Sequence, residues 1–193
     1  MEKRQNNRNV ILNLAVSLDG YIEGPNGEID WLSFSEEVGD VLHRFLGEID
    51  TMLYGRISYE KWGTYTPEED SPDFEKDFYA KTGKMAKYVF AGSRNEFEGS
   101  PLVVQSDIKR TVNELKQQEG KDIWLYGGAK LITTFFNLDL IDEMRLAVYP
   151  VILGDGKPLF SGIQQRKKMD LIRSESDESG IVTLIYRIAA QRR

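Results

Sequence analysis

The chain of 193 residues contains no cysteine. Disulfide bonds, thiolate nucleophiles and zinc sites built from thiolates are therefore excluded. Histidine occurs once, at His43, so a metal site with several histidines is excluded as well. A Ser/His/Asp triad would have to use this single imidazole. We predict no metal site, and we expect any chemistry to depend on carboxylates, hydroxyls, backbone dipoles or a bound cofactor.

Long apolar runs are also missing, since none approaches the ~20 residues that a membrane-spanning helix requires. The polar start MEKRQNNRN is followed by VILNLAV, which is too short and too strand-like for a secretory signal. We therefore expect a cytoplasmic protein without membrane contact. The net charge is -6, whereas nucleic-acid binding requires clustered Lys and Arg. We expect no nucleic-acid partner, although this charge is compatible with a local basic pocket.

The composition is that of a globular protein, with 40% hydrophobic and 29% charged residues. The length suits one domain whose core needs no disulfide or metal support. The sequence shows no internal repeat, low-complexity tract or linker. We predict a single domain over residues 1–193, of which residues 1–8 form a flexible tail.

Predicted strands alternate with predicted helices along most of the chain. Val10 to Ser17 is apolar and β-prone, and Glu36 to Leu46 has apolar residues at helical spacing. Thr64 to Gly83 is predicted to be an acidic surface helix, starting at Ser71-Pro72-Asp73. Met169 to Ser174 and Ile181 to Ile188 flank a turn, which predicts a hairpin. The pattern indicates an α/β fold with a mixed, mostly parallel sheet, helices on both faces and a C-terminal antiparallel hairpin.

Three predicted strand ends carry small residues: LYGRISYE (53–60), AGSR (91–94) and LYGGAK (125–130). Gly55 lets the backbone approach a ligand, the next helix offers free N–H groups, and Arg56 adds a forked donor for phosphate. Each corner also has a purely structural explanation: a tight turn with a solvated Arg56, a polar turn at AGSR, and glycines that give clearance for helix packing at LYGGAK. LYGGAK is not the Rossmann fingerprint. Two glycine corners in one chain favour a ligand with several phosphates.

The segment from Asn13 to Glu37 joins a strand to a helix through a long loop. It contains Asp19, Asp30, Trp31 and Glu36. Long loops are often functional, and a carboxylate beside an indole suits a flat heterocycle with N–H donors. Alternatively, Trp31 is a core anchor and Asp30 is a helix cap.

Six motifs occur in an order that resembles the dihydrofolate-reductase-like superfamily: SLDGYI, IDWL, MLYGRISYE, AGSR, IWLYGGAKLI and LAVYPVILGDGKPLF. More closely, the chain resembles stand-alone homologues of the C-terminal reductase domain of the bifunctional riboflavin-biosynthesis deaminase/reductase. The resemblance runs from Val10 to the final strand. It implies a dihydrofolate-reductase-like fold, NADPH across the carboxyl ends of the strands, and a homodimer.

The resemblance also assigns cofactor residues. It places Ala15 near the nicotinamide and Arg56 nearest the adenosine phosphate, and Ser93 with Arg94 matches a second contact to the 2'-phosphate. The expected cofactor-binding residues are Ala15, Gly55, Arg56, Ser58, Ser93, Arg94, Gly127, Gly128, Ala129, Lys130, Leu131 and Ile132.

The substrate is less well defined by the sequence. Riboflavin-type relatives typically carry a glutamate on the strand before the glycine pair, where this chain has Leu125 and Tyr126. Dihydrofolate reductases grip the pterin with a carboxylate five residues after the loop tryptophan, and Glu36 is five after Trp31. We expect hydride transfer from NADPH to a small heterocyclic substrate, as in 5-amino-6-(5-phosphoribosylamino)uracil reductase. Asp19 and Trp31 would bind the substrate, and Asp30, Glu36 or water would supply the proton.

Two other functions remain open. One is pterin or dihydrofolate reduction. The other, outside enzymes, is an NADPH-binding sensor or structural protein that does not turn over.

Overall fold

The structure is a computed structural model that describes residues 7–33 and 36–189, without the side chains of Glu36 and Glu37. These residues form ten strands and five helices. In chain order they are β1 (Val10–Ser17), β2 (Tyr21–Glu23), α1 (Glu36–Glu48), β3 (Ile49–Gly55), α2 (Arg56–Trp62), α3 (Asp73–Thr82), β4 (Ala86–Phe90), β5 (Leu102–Val104), α4 (Ile108–Lys116), β6 (Asp122–Gly127), α5 (Ala129–Asn137), β7 (Glu143–Tyr149), β8 (Lys157–Pro158), β9 (Met169–Ser176) and β10 (Val182–Ile188).

The chain forms two compact units, each assembled from two segments. In the first, which takes the described residues up to Asn9 and 36–128, the strand order is β5-β4-β3-β6 and all pairs are parallel. In the second, which takes 10–33 and the residues from 129 on, the order is β1-β7-β10-β9. There β1 and β7 are parallel, while β10 is antiparallel to β7 and β9. The predicted mixed, mostly parallel sheet and the C-terminal hairpin are confirmed. A single domain over residues 1–193 stays a prediction.

The core of the first unit is built on β3. Four consecutive residues of this strand, 51–54, are at most 3% exposed. Such a continuous buried run is typical of a central strand in a parallel sheet, which is covered on both faces. Helix α3 begins after Pro72 and ends before Gly83, as predicted. Only residues 73–82 of the predicted 64–83 helix are helical, and Phe78 packs edge-on against the buried Trp124.

The second unit has two short strands that were not predicted. Strands β2 and β8 pair antiparallel, and with three and two residues they are too short to show a sequence period. Gly156 has a φ of +154°, and a Cβ there would lie 2.2 Å from the Glu23 carbonyl oxygen. Glycine at 156 therefore permits the close approach of the two strands.

The predicted flexible tail is wrong at its last residue, because Arg8 is only 5% exposed. Its backbone N–H donates to the Lys116 carbonyl at 3.0 Å, and its Nε donates to the Lys121 carbonyl at 2.5 Å. The guanidinium also pairs with Asp50 and donates to Thr51 Oγ1 at 2.6 Å. A run of polar residues indicated a solvated segment, but these acceptors satisfy the buried guanidinium. Residues 1–6 lie outside the described residues.

Within the described ranges, no helix has the length and apolar character needed to cross a membrane.

Candidate functional site

The predicted strand-end corners of the first unit lie at one edge of its parallel strands. Gly55 is opposite Phe90, the last residue of β4, and Tyr54 is opposite Gly127, the last residue of β6. Because the strands run in the same direction, their carboxyl ends meet at the same edge. The structure thus brings together the ends of β3, β4 and β6, at which LYGRISYE, AGSR and LYGGAK lie.

Two arginines from different corners converge on a single carboxylate at this edge. Nη1 of Arg56 lies 2.7 Å from Oε2 of Glu60, one helical turn later on α2. Nη1 of Arg94, from the loop after β4, lies 2.5 Å from Oε1 of the same residue. The arginine side chains are 46% and 54% exposed, and that of Glu60 is 31% exposed. The edge therefore presents two solvent-accessible guanidinium groups that share one negative charge.

The loop that carries Arg94 is attached to α2 at further points. Nε of Arg94 donates to the Glu96 carbonyl at 3.0 Å, and its guanidinium lies 4.9 Å from the ring centroid of Phe97. Phe97 packs edge-on against Tyr59 of α2, whose hydroxyl donates to the Glu98 carbonyl at 2.7 Å. Burial raises the pKa of this Tyr59 hydroxyl above its ordinary value. These contacts hold Arg94 beside α2 in a defined position.

Arg56 and Arg94 supply positive charge at this edge. Helix α2 has seven residues, and its N-cap residue is Gly55, which has no side chain to cap the helix. Ser58 is half-buried on α2, and Ser93 is exposed next to Arg94. Glu60 was not predicted from the sequence. Its spacing of four residues after Arg56 was the available signal for the first ion pair.

The glycines at this edge leave open space. A Cβ added at Gly128 or Gly92 would meet no atom within 4 Å. Clearance for a tightly packed helix therefore does not explain Gly128. Gly127 has a φ of +119°, a conformation that side-chain-bearing residues rarely adopt, and its peptide bond to Gly128 is cis. Open space therefore lies next to the backbone at Gly128, whereas Gly127 is buried.

The strand before the glycine pair carries no carboxylate at its end. Leu125 is fully buried. The ring of Tyr126 lies 4.7 Å from that of Tyr54 and 4.9 Å from that of Trp124. Burial raises the pKa of the Tyr126 hydroxyl, so it is neutral near pH 7. At the end of the strand where riboflavin-type relatives typically carry a glutamate, this chain has the ring of Tyr126 packed between those of Tyr54 and Trp124.

The remaining predicted cofactor residues lie in the second unit. Ala15 is a half-buried residue of β1, opposite Ala147 of β7. Ala129 and Lys130 begin α5, and Lys130 is exposed. The side chains of Leu131 and Ile132 are buried with the apolar face of α5, so a ligand would contact their backbone.

The Asp19 carboxylate is engaged by its own unit. It accepts hydrogen bonds from Ser17 Oγ at 2.7 Å, from the Gly154 N–H at 2.8 Å and from the Leu153 N–H at 3.2 Å. These bonds lower the pKa of Asp19, with the Ser17 hydroxyl making the largest contribution. Asp19 therefore attaches the turn after β1 to the loop after β7.

Trp31 has a polar atom that the described residues around it do not satisfy. Its ring packs edge-on against Tyr149, with centroids 5.4 Å apart, and the Tyr149 hydroxyl donates to the Ser33 carbonyl at 3.1 Å. The indole N–H is buried and has no hydrogen-bond partner among the residues described. Asp30 is exposed and lies six residues before the first residue of α1, so it does not cap that helix. The side chain of Glu36 lies outside the described part of the structure.

A cavity of about 840 Å³ in the first unit is lined partly by the segment 63–69 and by α3. Ala86 and Lys87, at the start of β4, also line it, and so does Tyr59 of α2, which packs against Phe97. The Lys87 ammonium donates to the Gly63 carbonyl at 2.5 Å, and burial lowers its pKa. The 64–83 insert thus forms a wall of this cavity.

Residues 8–183 match the RibD C-terminal domain. The chain belongs to this family. The uncharacterized protein YyaP of Bacillus subtilis (strain 168) is 47% identical to it over 179 residues, which cover 93% of this chain and 94% of that protein. The predicted resemblance to stand-alone RibD reductase-domain homologues is thereby confirmed.

Solved structures share the fold of this RibD C-terminal domain. A putative riboflavin biosynthesis protein from Shewanella sp. PV-4 is similar with a TM-score of 0.76 and 23% identity, covering 94% of this chain and 99% of that one. A deaminase/5-amino-6-(5-phosphoribosylamino)uracil reductase from Thermotoga maritima gives 0.68 and 17%, covering 95% and 57%. The dihydrofolate reductase of Enterococcus faecalis, complexed with NADP(H), gives 0.64 and 16%, covering 94% and 97%. The dihydrofolate-reductase-like fold is therefore confirmed.

Proposed function

We propose that this protein is an NADPH-dependent reductase of a small heterocyclic substrate, similar to 5-amino-6-(5-phosphoribosylamino)uracil reductase. The observation that carries the cofactor assignment is the convergence of Arg56 and Arg94 at the carboxyl ends of parallel strands. Two guanidinium groups there suit a phosphate ester, because each offers several N–H donors in one plane. The family and the NADP(H) complex of the Enterococcus faecalis enzyme support the same cofactor.

The residues present fit NADPH, since open glycine corners and exposed cations match an elongated, anionic ligand. Bound NADPH would supply a hydride, and the chain's own residues would bind and orient it. The adenosine phosphate would be held by Gly55, Arg56, Ser58, Ser93 and Arg94. The family resemblance assigns the pyrophosphate and adjoining ribose to Gly127–Ile132 and the nicotinamide to Ala15.

The substrate would be recognised by Trp31, whose indole N–H has no acceptor among the described residues and is suited to donate to one on a heterocycle. Asp30 and Glu36 are the carboxylates that we propose for proton delivery. Asp19 would act on substrate binding through the loop that it holds, since its oxygens already accept three hydrogen bonds. The lack of an acid at Leu125 and Tyr126 indicates that a riboflavin-type pyrimidine would be gripped differently than in relatives with that glutamate.

We further propose that the protein acts in the cytoplasm as a homodimer without nucleic-acid partners. The family resemblance supports the dimer, and the exposed Leu171 and Ile172 on β9 offer apolar surface for one.

The decisive experiment compares the binding of NADPH and NADH to the wild type and to Arg56→Ala. These cofactors differ by the 2'-phosphate, so loss of one guanidinium should weaken NADPH by about 2 kcal/mol, roughly thirtyfold, and leave NADH almost unchanged. Arg110→Ala is the matched control, because Arg110 also forms an exposed i,i+4 ion pair, with Glu114 on α4. If the wild type binds no NADPH, or if both variants bind it equally well, the cofactor assignment is refuted.

The substrate is tested by following nicotinamide absorbance with a ribosylaminopyrimidine phosphate and with dihydrofolate. Turnover of the pyrimidine supports the riboflavin-type reaction. Turnover of dihydrofolate alone supports pterin reduction, for which the position of Glu36 five residues after Trp31 is the argument. Binding of NADPH without turnover of either class would favour a non-catalytic, cofactor-binding protein.

A further inference from the structure

Glu60 is an exposed residue with an unusual set of partners. Each of its carboxylate oxygens lies within 2.7 Å of a different guanidinium, one on its own helix and one on the loop after β4. Its side chain is 31% exposed, and the two arginines are its ion-pair partners. The arrangement therefore calls for an explanation in terms of the two arginines that it joins.

Arg56, Glu60 and Arg94 form a network of two ion pairs that share the Glu60 carboxylate. Arg56 and Arg94 carry two positive charges, and Glu60 neutralises one of them. Nη1 of each arginine donates to Glu60. An incoming anion must either take these N–H donors from the carboxylate or bind beside a negative charge at close range. Both routes weaken its binding relative to a free pair of arginines.

We propose that Glu60 is a specificity-determining residue, whose carboxylate competes for the arginine donors with the phosphate of the cofactor. This inference rests on the proposed NADPH site. A singly charged anion has no electrostatic advantage over the attached carboxylate, whereas a phosphate ester carries nearly two charges and three acceptor oxygens. Repulsion by the carboxylate grows with the charge of the bound anion, so Glu60 lowers the affinity for a phosphate ester more than for a cofactor without that phosphate. Glu60 thus narrows the preference of the site for NADPH over NADH.

The test is Glu60→Gln, which keeps the side-chain length and one acceptor oxygen but removes the charge. We expect the dissociation constant for NADPH to fall roughly three- to tenfold, as follows from loss of two partly exposed ion pairs. The constant for NADH should stay within about twofold, because NADH lacks the 2'-phosphate. Glu114→Gln is the matched control, because it makes the same charge change at the same i,i+4 spacing to Arg110 on α4. It should leave both constants unchanged.

Glu60→Ala serves as the second variant, because it removes the carboxylate altogether and should shift NADPH in the same direction. Circular dichroism must show that each variant is folded. Unchanged or weaker NADPH binding in both Glu60 variants would overturn the inference and leave the proposed function standing. A gain that Glu114→Gln reproduces would overturn it too, since the effect would then be one of net charge.

Inorganic pyrophosphate separates this inference from the proposed function. If the wild type binds neither NADPH nor NADH, the proposed function fails, and pyrophosphate titration of the same variants still tests the competition. Tighter pyrophosphate binding by Glu60→Gln than by Glu114→Gln supports it. Equal binding by the two variants refutes it.

Discussion

The buried indole N–H of Trp31 affects both the stability of the fold and the proposed binding of substrate, and one substitution separates the two effects. Its indole N–H is buried without an acceptor in the described residues, while its ring packs on Tyr149. Trp31→Phe removes the unsatisfied donor but keeps an aromatic ring in that place. If the N–H serves a substrate, the variant should fold as well as the wild type and turn over substrate less efficiently.

Trp31→Phe has two opposing effects on the free energy of unfolding. Leaving a buried donor unpaired costs about 1–3 kcal/mol, so its removal is favourable. The smaller ring buries ~40 Å² less apolar surface, which costs about 1 kcal/mol, and the space that it leaves adds to this cost. The two effects nearly cancel, and we expect the free energy of unfolding to change by no more than about 1 kcal/mol. A lost hydrogen bond to substrate should lower kcat/KM roughly tenfold.

The assays are urea unfolding followed by far-ultraviolet circular dichroism, and steady-state kinetics with whichever of the two candidate substrates the wild type turns over. Trp62→Phe is the control, since Trp62 is a half-buried tryptophan of α2 that packs against Tyr65. It should leave kcat/KM unchanged. A loss of stability above about 2 kcal/mol in Trp31→Phe would show that the N–H has a partner in the folded protein. Normal stability with unchanged kcat/KM would refute its role in substrate binding.

Two further predictions concern polar contacts within each unit. Arg8→Ala should lower the free energy of unfolding by about 2–4 kcal/mol in urea titrations, because it leaves the Asp50, Thr51 and Lys121 acceptors without their guanidinium; a loss below 1 kcal/mol would contradict this. Asp19→Asn tests a pH dependence of stability. The pKa of Asp19 is lower in the folded protein than in the unfolded chain. The ionised carboxylate therefore stabilises the fold above the unfolded pKa near 3.9, and this stabilisation is lost as the pH falls through the folded pKa. The stability difference between wild type and Asp19→Asn should therefore shrink below about pH 4, and a difference that stays constant from pH 7 to pH 3 would disprove the assignment.

Much of the local structure could be predicted because Gly and Pro residues mark the same boundaries as the spacing of the apolar residues. Strand β1 has the predicted bounds, and α3 starts after Pro72 and stops before Gly83. Each is delimited by residues whose backbone preferences are strong. Strand β8 could not be found in this way, because two residues show no period.

The corners of the candidate site were predictable, but their connection was not. Small residues after apolar runs mark strand ends, and parallel strands gather those ends at one edge. Arg94 meets Glu60 because the loop after β4 folds against α2 through Phe97 and Tyr59. A contact between residues 34 positions apart depends on tertiary packing, which sequence spacing does not encode.

The aromatic end of β6 bears directly on the choice of substrate. A carboxylate at Leu125 would be fully buried, and one at Tyr126 would displace a ring that packs on Tyr54 and Trp124. A buried carboxylate without a partner is costly, so a glutamate at either position requires changes in its neighbours. The aromatic packing and the missing acid are therefore a single feature of this strand. It follows that any carboxylate that recognises the substrate comes from another element, which makes the loop of Asp30 and Trp31 the first place to seek it by mutation.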